Sequence, residues 1–209
     1  MDVKGGNQML LAYGSTTVDA DWHVIENAPA NFSRIYCVYG GEVTYTDERN
    51  TAKLQKDHLY IFPSSCPYKM EHNPQNPLCC LFVHVDWFPI LVTELISIDL
   101  NSAPFLKDLT AAIESAVMID NEKIIASLID TLHLYCLENK ILSQTDARIA
   151  KAITYISEHV GEDVSIEKLS KITGYNKQYF IRLFKKSTGV SPYNYVIHYR
   201  LNEAEKLLQ

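Results

Sequence analysis

The sequence predicts an α+β protein: an N-terminal antiparallel β-barrel or sandwich, then a helical pair, then an all-α helix-turn-helix subdomain. Short β-rich runs separated by Gly, Pro and Asn turns occupy residues 32–86. The hydrophobic period changes from that of strands to that of helices after Pro89, and four helical segments with capping residues follow Asp146. We therefore divide the chain into units at residues 1–95, 96–145 and 146–209.

Composition and charge favour a folded protein with two dissimilar parts. The chain has 209 residues, 21% of them charged, and a formal net charge of −6. Residues 1–145 contain nine Lys and Arg against eighteen Asp and Glu, whereas residues 146–209 contain ten against seven. Only the C-terminal part is therefore suited to a polyanionic partner.

The sequence shows no targeting signal, and its cysteines are typical of a cytoplasmic protein. Residues 1–15 lack the apolar core of a signal peptide, and the longest apolar stretch, residues 78–92, contains His84, Asp86 and Pro89. The five cysteines form no CxxC pair and are interpreted as free thiols in a reducing compartment. We expect a soluble protein without membrane association.

Three segments carry the strand prediction. The first, RIYCVYGGEVTYT, alternates β-branched and aromatic residues around Gly40–Gly41 and predicts a hairpin. The second ends at Pro63, and the third leads from two Asn-Pro turns into a long strand ending near Asp86. Because side chains alternate along a strand, Arg34 and Tyr36 share one face and Phe82 and His84 share another.

A helical pair is predicted at residues 103–118 and 121–141, where apolar residues recur at helical spacing. Asn121 is a suitable N-cap for the second helix. Such a pair can cover the open edge of the barrel or pair with its copy in a second subunit. The sequence leaves both roles open.

Residues 146–209 carry the signals of a helix-turn-helix. Ser165 and Asn176 are N-caps of two short helices, and Gly174 supplies the positive φ that the tight turn between them needs. Ser170 is the small residue expected where the two helices cross. Ser191 and Pro192 begin a last helix that runs to Leu208.

The helix that opens at Asn176 has one apolar face and one polar face. Phe180, Leu183 and Phe184 form the face predicted to be buried. The opposite face is predicted to enter the major groove, where Gln can bind adenine and Arg can bind guanine. Candidate base contacts are Gln178, Ile181 and Arg182, and candidate phosphate contacts are Asn176, Lys177, Lys185 and Lys186.

Residues 147–208 resemble the first half of the DNA-binding domain of AraC/XylS-family transcription regulators. The resemblance is carried by YISEH, SIEKLSKITGYN, YFIRLFKKSTGVSPYNY and YRLNEAEKLL. It implies that Gln178, Ile181 and Arg182 meet bases, and that Arg200 and Leu201 in the connecting helix hold two halves of the domain together. Since the family domain has two helix-turn-helix units and this sequence ends where the second would begin, we expect a truncated chain.

The resemblance also implies that the strand-rich region is a cupin-like effector domain and that the helical pair forms a homodimer. Arg34, Tyr36 and His84 are expected to converge inside the barrel, with Trp22 and His23 closing its mouth. An aromatic wall with a few hydrogen-bonding groups suits a sugar or a small organic acid. Promoter DNA, the effector and a second copy are therefore the expected partners, with RNA polymerase as a further candidate.

Two other classes of function are compatible with this layout. A metal-dependent cupin enzyme needs an HxH pair, which the sequence lacks; only His58 and His84 are plausible barrel-lining ligands, so we expect no catalytic residue, metal or other cofactor. A dimerising effector-binding module without DNA binding is the second alternative. The outward Gln178 and Arg182 speak against this module, whereas Ile181 is ambiguous, since it can meet a thymine methyl or a protein surface.

Overall fold

Strands fill the first half of the chain and helices the second. The computed structural model describes residues 9–27, 30, 32–88, 90–143 and 145–208; Pro89, where the predicted period changes, lies outside them. The strands are β1 (Met9–Thr17), β2 (His23–Glu26), β3 (Ser33–Gly40), β4 (Val43–Asp47), β5 (Thr51–Lys53), β6 (His58–Ile61), β7 (Tyr68–His72), β8 (Cys79–Asp86) and β9 (Ile96–Asp99). The helices are α1 (Pro104–Met118), α2 (Glu122–Glu138), α3 (Ala147–Glu158), α4 (Ile166–Thr173), α5 (Lys177–Thr188) and α6 (Pro192–Leu208). This confirms the predicted α+β layout.

The strands form two antiparallel sheets that face each other. The five-stranded sheet has the order β1-β8-β3-β6-β9 and the four-stranded sheet the order β2-β7-β4-β5. A buried layer between them includes Tyr36, Val38, Tyr45, Tyr60, Phe62, Tyr68 and Met70. Within the described residues no ladder of paired strands joins the two sheets, so the strand-rich unit is a sandwich and not a closed barrel.

The hairpin predicted at Gly40–Gly41 is wrong. β3 pairs with β6 and β8, whereas β4 pairs with β5 and β7, so the chain changes sheets at this point. Gly41 has φ 102°, and a Cβ there would overlap the carbonyl oxygen of Pro77. The glycine is required for a close crossing over the Pro77–Leu78 backbone. A glycine pair of this kind marks a change of direction without specifying the partner strand.

The helical pair packs on the outer face of the five-stranded sheet. Side chains of β3 and β8 that point away from the sandwich, among them Ile35, Cys37 and Val83, share one core with α1 and α2. Tyr13 of edge strand β1 donates to Asp120 at 2.8 Å, which ties the pair to that edge. Asn121 caps α2 as predicted, its side chain accepting from the amide of Ile124 at 3.2 Å. Covering the sandwich is thus one role of this pair.

The helix-turn-helix subdomain is built on local capping signals. Ser165 accepts from the amide of Lys168 at 3.2 Å, and Asn176 accepts from the amide of Tyr179 at 2.9 Å. Gly174 has φ 70° in the turn between α4 and α5, and Ser170 is buried where these helices meet. The subdomain has its own core, formed mainly by α3, α4, α5 and α6.

Candidate nucleic-acid interface and ligand pocket

Helix α5 turns its aromatic residues inward and its polar residues outward. Phe180 and Phe184 are each 0% exposed, with ring centroids 5.4 Å apart, and Leu183 is half-buried. Gln178, Arg182 and Lys185 are exposed on the other side. The polar face predicted to meet a groove is therefore free of contacts that would bury it.

Two arginines, with a pair of tyrosine rings between them, form a row along this polar face. The guanidinium of Arg182 lies 5.4 Å from the ring centre of Tyr179, which is 39% exposed. Tyr179 packs on Tyr175 at 4.9 Å, and the guanidinium of Arg148 on α3 lies 4.7 Å from the Tyr175 ring. Cation–π contacts hold both guanidinium groups at the surface without neutralising them. Sequence reasoning missed Arg148, Tyr175 and Tyr179, because the row depends on how α3 crosses α5.

The remaining candidates on α5 differ in their surroundings. Lys177 forms an ion pair with Glu167 of α4, and this hydrogen bond lowers the pKa of the Glu167 carboxyl. Asn176 uses its side chain as the N-cap. Ile181 is half-buried against the subdomain core, whereas Lys185 and Lys186 are exposed in the last turn, where positive charge also suits the helix dipole. The DNA contacts of these residues remain predictions.

A cavity of about 600 Å³ opens between the end of β1, the loop after it and the inner face of the five-stranded sheet. The loop side contributes Thr16, Thr17, Asp19, Asp21 and Trp22. The sheet side contributes Tyr36, Cys80, Phe82 and His84. Such a volume accommodates a small molecule.

Arg34, Tyr36 and His84 lie on the inner face, as their alternation predicts. Arg34 and His84 are directly opposed on β3 and β8, and the rings of Tyr36 and His84 stack with centroids 6.2 Å apart. Arg34 lies behind the cavity wall and not in it. Its guanidinium is 2.5 Å from the Glu26 carboxylate and donates to Tyr68 Oη at 2.8 Å.

The sheet side of the cavity carries no charge at neutral pH. Burial, and after it the charge of Arg34, lowers the pKa of His84 to about 4. Burial also raises the pKa of Cys80 to about 12 and raises that of Tyr36. His84 Nε2 is buried without a hydrogen-bond partner among the described residues. A neutral imidazole with a free nitrogen thus lies beside the cavity.

The loop side differs from its prediction in three residues. Trp22 lines the opening, but the His23 side chain is exposed, outside the lining, with Nδ1 2.9 Å from the carbonyl oxygen of Asp21. His23 falls outside because it is on the solvent side of β2. Asp19 and Asp21 line the opening and were missed, since a loop gives no periodicity by which to assign a face.

Strand β8 connects the cavity wall to the helix-turn-helix subdomain. His84 lines the cavity, Asp86 ends the strand and accepts from the amide of Phe88 at 2.8 Å, and Phe88 packs against the subdomain core with Leu91. Tyr195 of α6 is buried in that core; burial raises its pKa, and Tyr199 and Asp86 add to the effect. A second contact brings Gly189, after α5, against Cys66.

Comparison with known proteins identifies the helical subdomain. Residues 156–196, which contain α4, the turn and α5, match the model of bacterial regulatory helix-turn-helix proteins, AraC family. This part of the chain is therefore similar to the AraC-family helix-turn-helix domain. The predicted resemblance is confirmed, and the match covers the helix on which the candidate DNA contacts lie.

Curated proteins that are similar to this chain carry the names of transcription regulators. It is 28% identical over 173 residues to the HTH-type transcriptional regulator YobQ of Bacillus subtilis, covering 80% of this chain and 66% of that protein. It is 22% identical over 179 residues to the HTH-type transcriptional activator Btr of the same organism, covering 76% of this chain and 34% of that one. The matched part of the chain thus spans about two thirds of the length of YobQ and about one third of the length of Btr.

Two solved structures align with much of this chain at low sequence identity. The AraC-like transcriptional activator CuxR aligns with a TM-score of 0.42 at 14% identity, covering 84% of this chain and 68% of that one. ToxT from Vibrio cholerae aligns with a TM-score of 0.35 at 12% identity, covering 90% and 97%.

Arg200 and Leu201 of α6 occupy different environments. Arg200 Nε donates to the carbonyl oxygen of Val160 at 3.0 Å and its Nη2 donates to that of Glu162, so it fastens α6 to the loop between α3 and α4. Leu201 is exposed. Their joint role between two halves of a larger domain remains a prediction.

The described residues contain no helix that is both long enough and apolar enough to cross a membrane. They also bring together no group of three or more His, Cys, Asp or Glu side chains with the arrangement of a metal site. His58 and His84 lie on opposite sides of β3, in β6 and β8.

Proposed function

We propose that this protein is a ligand-responsive transcription regulator of the AraC family. Helix α5 reads promoter DNA, and the β-sandwich binds a small-molecule effector. The observation that carries the proposal is the orientation of α5, which buries Phe180 and Phe184 and leaves Gln178 and Arg182 exposed. In functional terms, residues 1–95 are the effector unit, 96–145 the dimerisation region, and 146–209 the first helix-turn-helix with its connecting helix.

In this proposal the polar face of α5 enters the major groove. Gln178 and Arg182 contact base edges, and Ile181 contacts a thymine methyl with the part of its side chain that is not packed on the core. Lys185, Lys186 and the N-terminus of α5 at Asn176 contact phosphates. Lys177 joins them only by exchanging its ion pair with Glu167 for a phosphate. Arg148 is added to the predicted set because Tyr175 holds it beside this face.

The effector acts through strand β8. An effector can shift an equilibrium only by binding one arrangement of the protein more tightly than another. A ligand that contacts His84 changes the position of β8, and the same segment carries Phe88 into the helix-turn-helix core. The arrangement of subdomain against sandwich is therefore the equilibrium that we propose the effector controls.

The outer surface of the helical pair is the proposed homodimer contact. Phe105, Met118 and Ile119 at α1, and Ile124 and Leu134 on α2, are exposed apolar residues. Two copies of α5 held in this way would read two half-sites of one promoter.

RNA polymerase is a further partner in this proposal, and the cytoplasm is where these partners occur.

The experiment is a selection of tight-binding duplexes from random DNA, followed by affinity measurements on the selected and on unrelated DNA. Arg182→Ala should weaken binding to the selected sequence by about 1–3 kcal/mol and leave non-specific binding almost unchanged. Arg49→Ala, an exposed arginine on the sandwich, is the matched control and should change neither.

Two outcomes would contradict this assignment. Equal losses on both kinds of DNA would make Arg182 a phosphate contact. No enrichment of any sequence at low salt, where phosphate contacts are strongest, would favour the alternative of an effector-binding module that dimerises without reading DNA.

A further inference from the structure

The two arginines beside the polar face of α5 are held by aromatic rings and not by carboxylates. Arg182 lies over the ring of Tyr179 and Arg148 over the ring of Tyr175, at 5.4 and 4.7 Å from the ring centres. Neither guanidinium forms an ion pair with a carboxylate of the residues that the structure describes, whereas Lys177 of α5 does. A ring fixes the position of a guanidinium without cancelling its charge, so both arginines keep that charge for a partner outside the chain.

The shape of a guanidinium allows it to contact a ring and a base at the same time. The group is planar, its face packs on an aromatic ring, and its N–H donors point outward at the edge. Those edge donors are the ones that bind guanine O6 and N7 in the major groove. Arg182 can therefore read a base without leaving Tyr179.

Tyr179 is placed so that it can hold Arg182 before DNA binds. The two residues are three apart in α5 and therefore share one face of the helix. The Tyr179 ring is itself held, because it packs at 4.9 Å on Tyr175, which is half-buried at the turn before α5. Fixing a mobile arginine on a base costs conformational entropy, and a side chain that is already held avoids part of that cost.

Tyr175 places the second cation at a set distance from the first. Asp146 caps α3 by accepting from the amide of Arg148 at 2.8 Å, and its other oxygen accepts from Tyr175 Oη at 3.4 Å. The start of α3 is thereby tied to the turn before α5. Contacts of 4.7, 4.9 and 5.4 Å in series join the two guanidinium groups, so they lie no more than a few ångströms beyond the width of the major groove apart, about 12 Å. A cation at that distance from a base contact meets the phosphates at the edge of the groove.

From these contacts we infer that Tyr179 and Tyr175 are positioning residues for DNA reading. Tyr179 holds Arg182 in the orientation that contacts guanine, and so contributes to sequence specificity without touching the base. Tyr175 holds Arg148 against a phosphate, and so contributes to affinity for any sequence. This inference rests on the proposed function, because it assigns roles within the DNA contact made by α5.

The role of Tyr179 is tested by a double-mutant cycle with Arg182. Tyr179→Leu should weaken binding to the selected duplex about fivefold and leave binding to unrelated DNA unchanged. Tyr179→Phe retains the ring and should restore the affinity. In an Arg182→Ala background, Tyr179→Leu should have no further effect, because the ring has nothing left to position.

Two results of this cycle would overturn the inference. Equal weakening by Tyr179→Leu with and without the Arg182 side chain would show that the ring acts by itself. A loss of affinity in Tyr179→Phe as large as in the leucine variant would show that the hydroxyl contacts DNA. Tyr179 is 39% exposed, so its replacement should leave the melting temperature almost unchanged; Tyr179→Met, which also lacks a ring, takes the place of the leucine variant if thermal unfolding shows that variant to be destabilised.

The role of Arg148 is tested by the salt dependence of binding. Arg148→Ala should weaken binding to the selected and to unrelated duplexes by the same factor, and should reduce the slope of log affinity against log salt concentration by about 1. Arg148→Lys retains the charge and should retain most of the slope, and Arg49→Ala is again the control. An unchanged slope in Arg148→Ala, or a loss confined to the selected duplex, would overturn the phosphate contact.

Failure of this inference is distinguishable from failure of the proposed function. A chain that enriches no DNA sequence contradicts the regulator assignment and this inference together. A chain that selects a duplex through Arg182, but shows no coupling between Arg182 and Tyr179, retains the assignment and loses only the inference.

Discussion

Arg34 and Glu26 form an ion pair that bridges the two sheets of the sandwich, with nitrogen and oxygen 2.5 Å apart. Arg34 lies on β3 of the five-stranded sheet and Glu26 on β2 of the four-stranded sheet. Arg34 also donates to Tyr68 on β7, a second link between the sheets. One guanidinium therefore fixes the spacing of the sheets beside the cavity.

We predict that Glu26→Gln destabilises the sandwich by about 3 kcal/mol, because it leaves the Arg34 charge buried without its partner. Equilibrium unfolding in urea measures the change. Glu71→Gln is the control, since Glu71 forms an exposed pair with Lys69 at 3.8 Å and should contribute less than about 1 kcal/mol. Similar losses for the two variants would show that the Arg34–Glu26 pair is as solvated as a surface pair.

We predict that protonation of His84 destabilises the fold in mild acid. Its pKa in the folded chain is about 4, below the ordinary histidine value of 6.5, so the unfolded chain binds the proton more readily between these values. The stability due to the neutral imidazole is complete above pH 6.5 and is lost as pH falls toward 4, by about 3 kcal/mol in all. The difference in unfolding free energy between the unaltered chain and His84→Gln should show this slope. A difference that does not change with pH would contradict it.

We predict that alanine is tolerated less well at Gly189 than at Gly174. Both glycines end a helix with positive φ, 79° and 70°, so each substitution should cost about 1 kcal/mol for the left-handed backbone. An added Cβ at Gly174 meets nothing within 4 Å, whereas at Gly189 it would overlap Sγ of Cys66. Gly189→Ala should therefore lose more stability in urea unfolding. Adding Cys66→Ala should restore part of the loss, and a failure to do so would place the strain elsewhere.

We predict that Leu134→Lys disrupts the homodimer. Leu134 is 59% exposed on α2, where a lysine costs the single chain little but places a charge in an apolar contact between copies. Sedimentation at micromolar concentration should change from dimer to monomer. Ile25→Lys, at a residue 56% exposed on β2, is the matched control and should remain dimeric. A monomer in the unaltered chain would remove this surface from the dimer proposal.

The helix-turn-helix was predictable because its signals are local. Asn176, Gly174 and Ser165 act on backbone groups within four residues of themselves, so a cap or a turn is set by a few neighbouring residues of the sequence. The faces of α5 follow in the same way from its period. What the helix contacts is decided by groups outside the chain, which is why the DNA contacts remain predictions.

The sandwich was less predictable because its contacts are distant in sequence. Strands β1, β2 and β9 were not predicted, and the Gly40–Gly41 turn was assigned to a hairpin although its two strands belong to different sheets. The inner and outer faces of β3 and β8 were predicted correctly, because side chains alternate between the two faces of a strand. The commitment of Arg34 to Glu26, and the presence of Asp19 and Asp21 at the cavity, depend on how the two sheets face each other.

Between His84 at the cavity wall and Phe88 in the helix-turn-helix core there are at most about 15 Å of backbone. In the proposed function, the cavity and the subdomain core are thus linked by one short piece of backbone and the packing of Phe88, beside the contact of Gly189 with Cys66. A single residue inserted directly after His84 would turn the side chains of Asp86 and Phe88 to the opposite face of the strand. The cavity and α5 would both remain intact. Communication between the two halves of the molecule could then be lost without damage to either half, and a variant of that kind would bind its effector and its DNA independently.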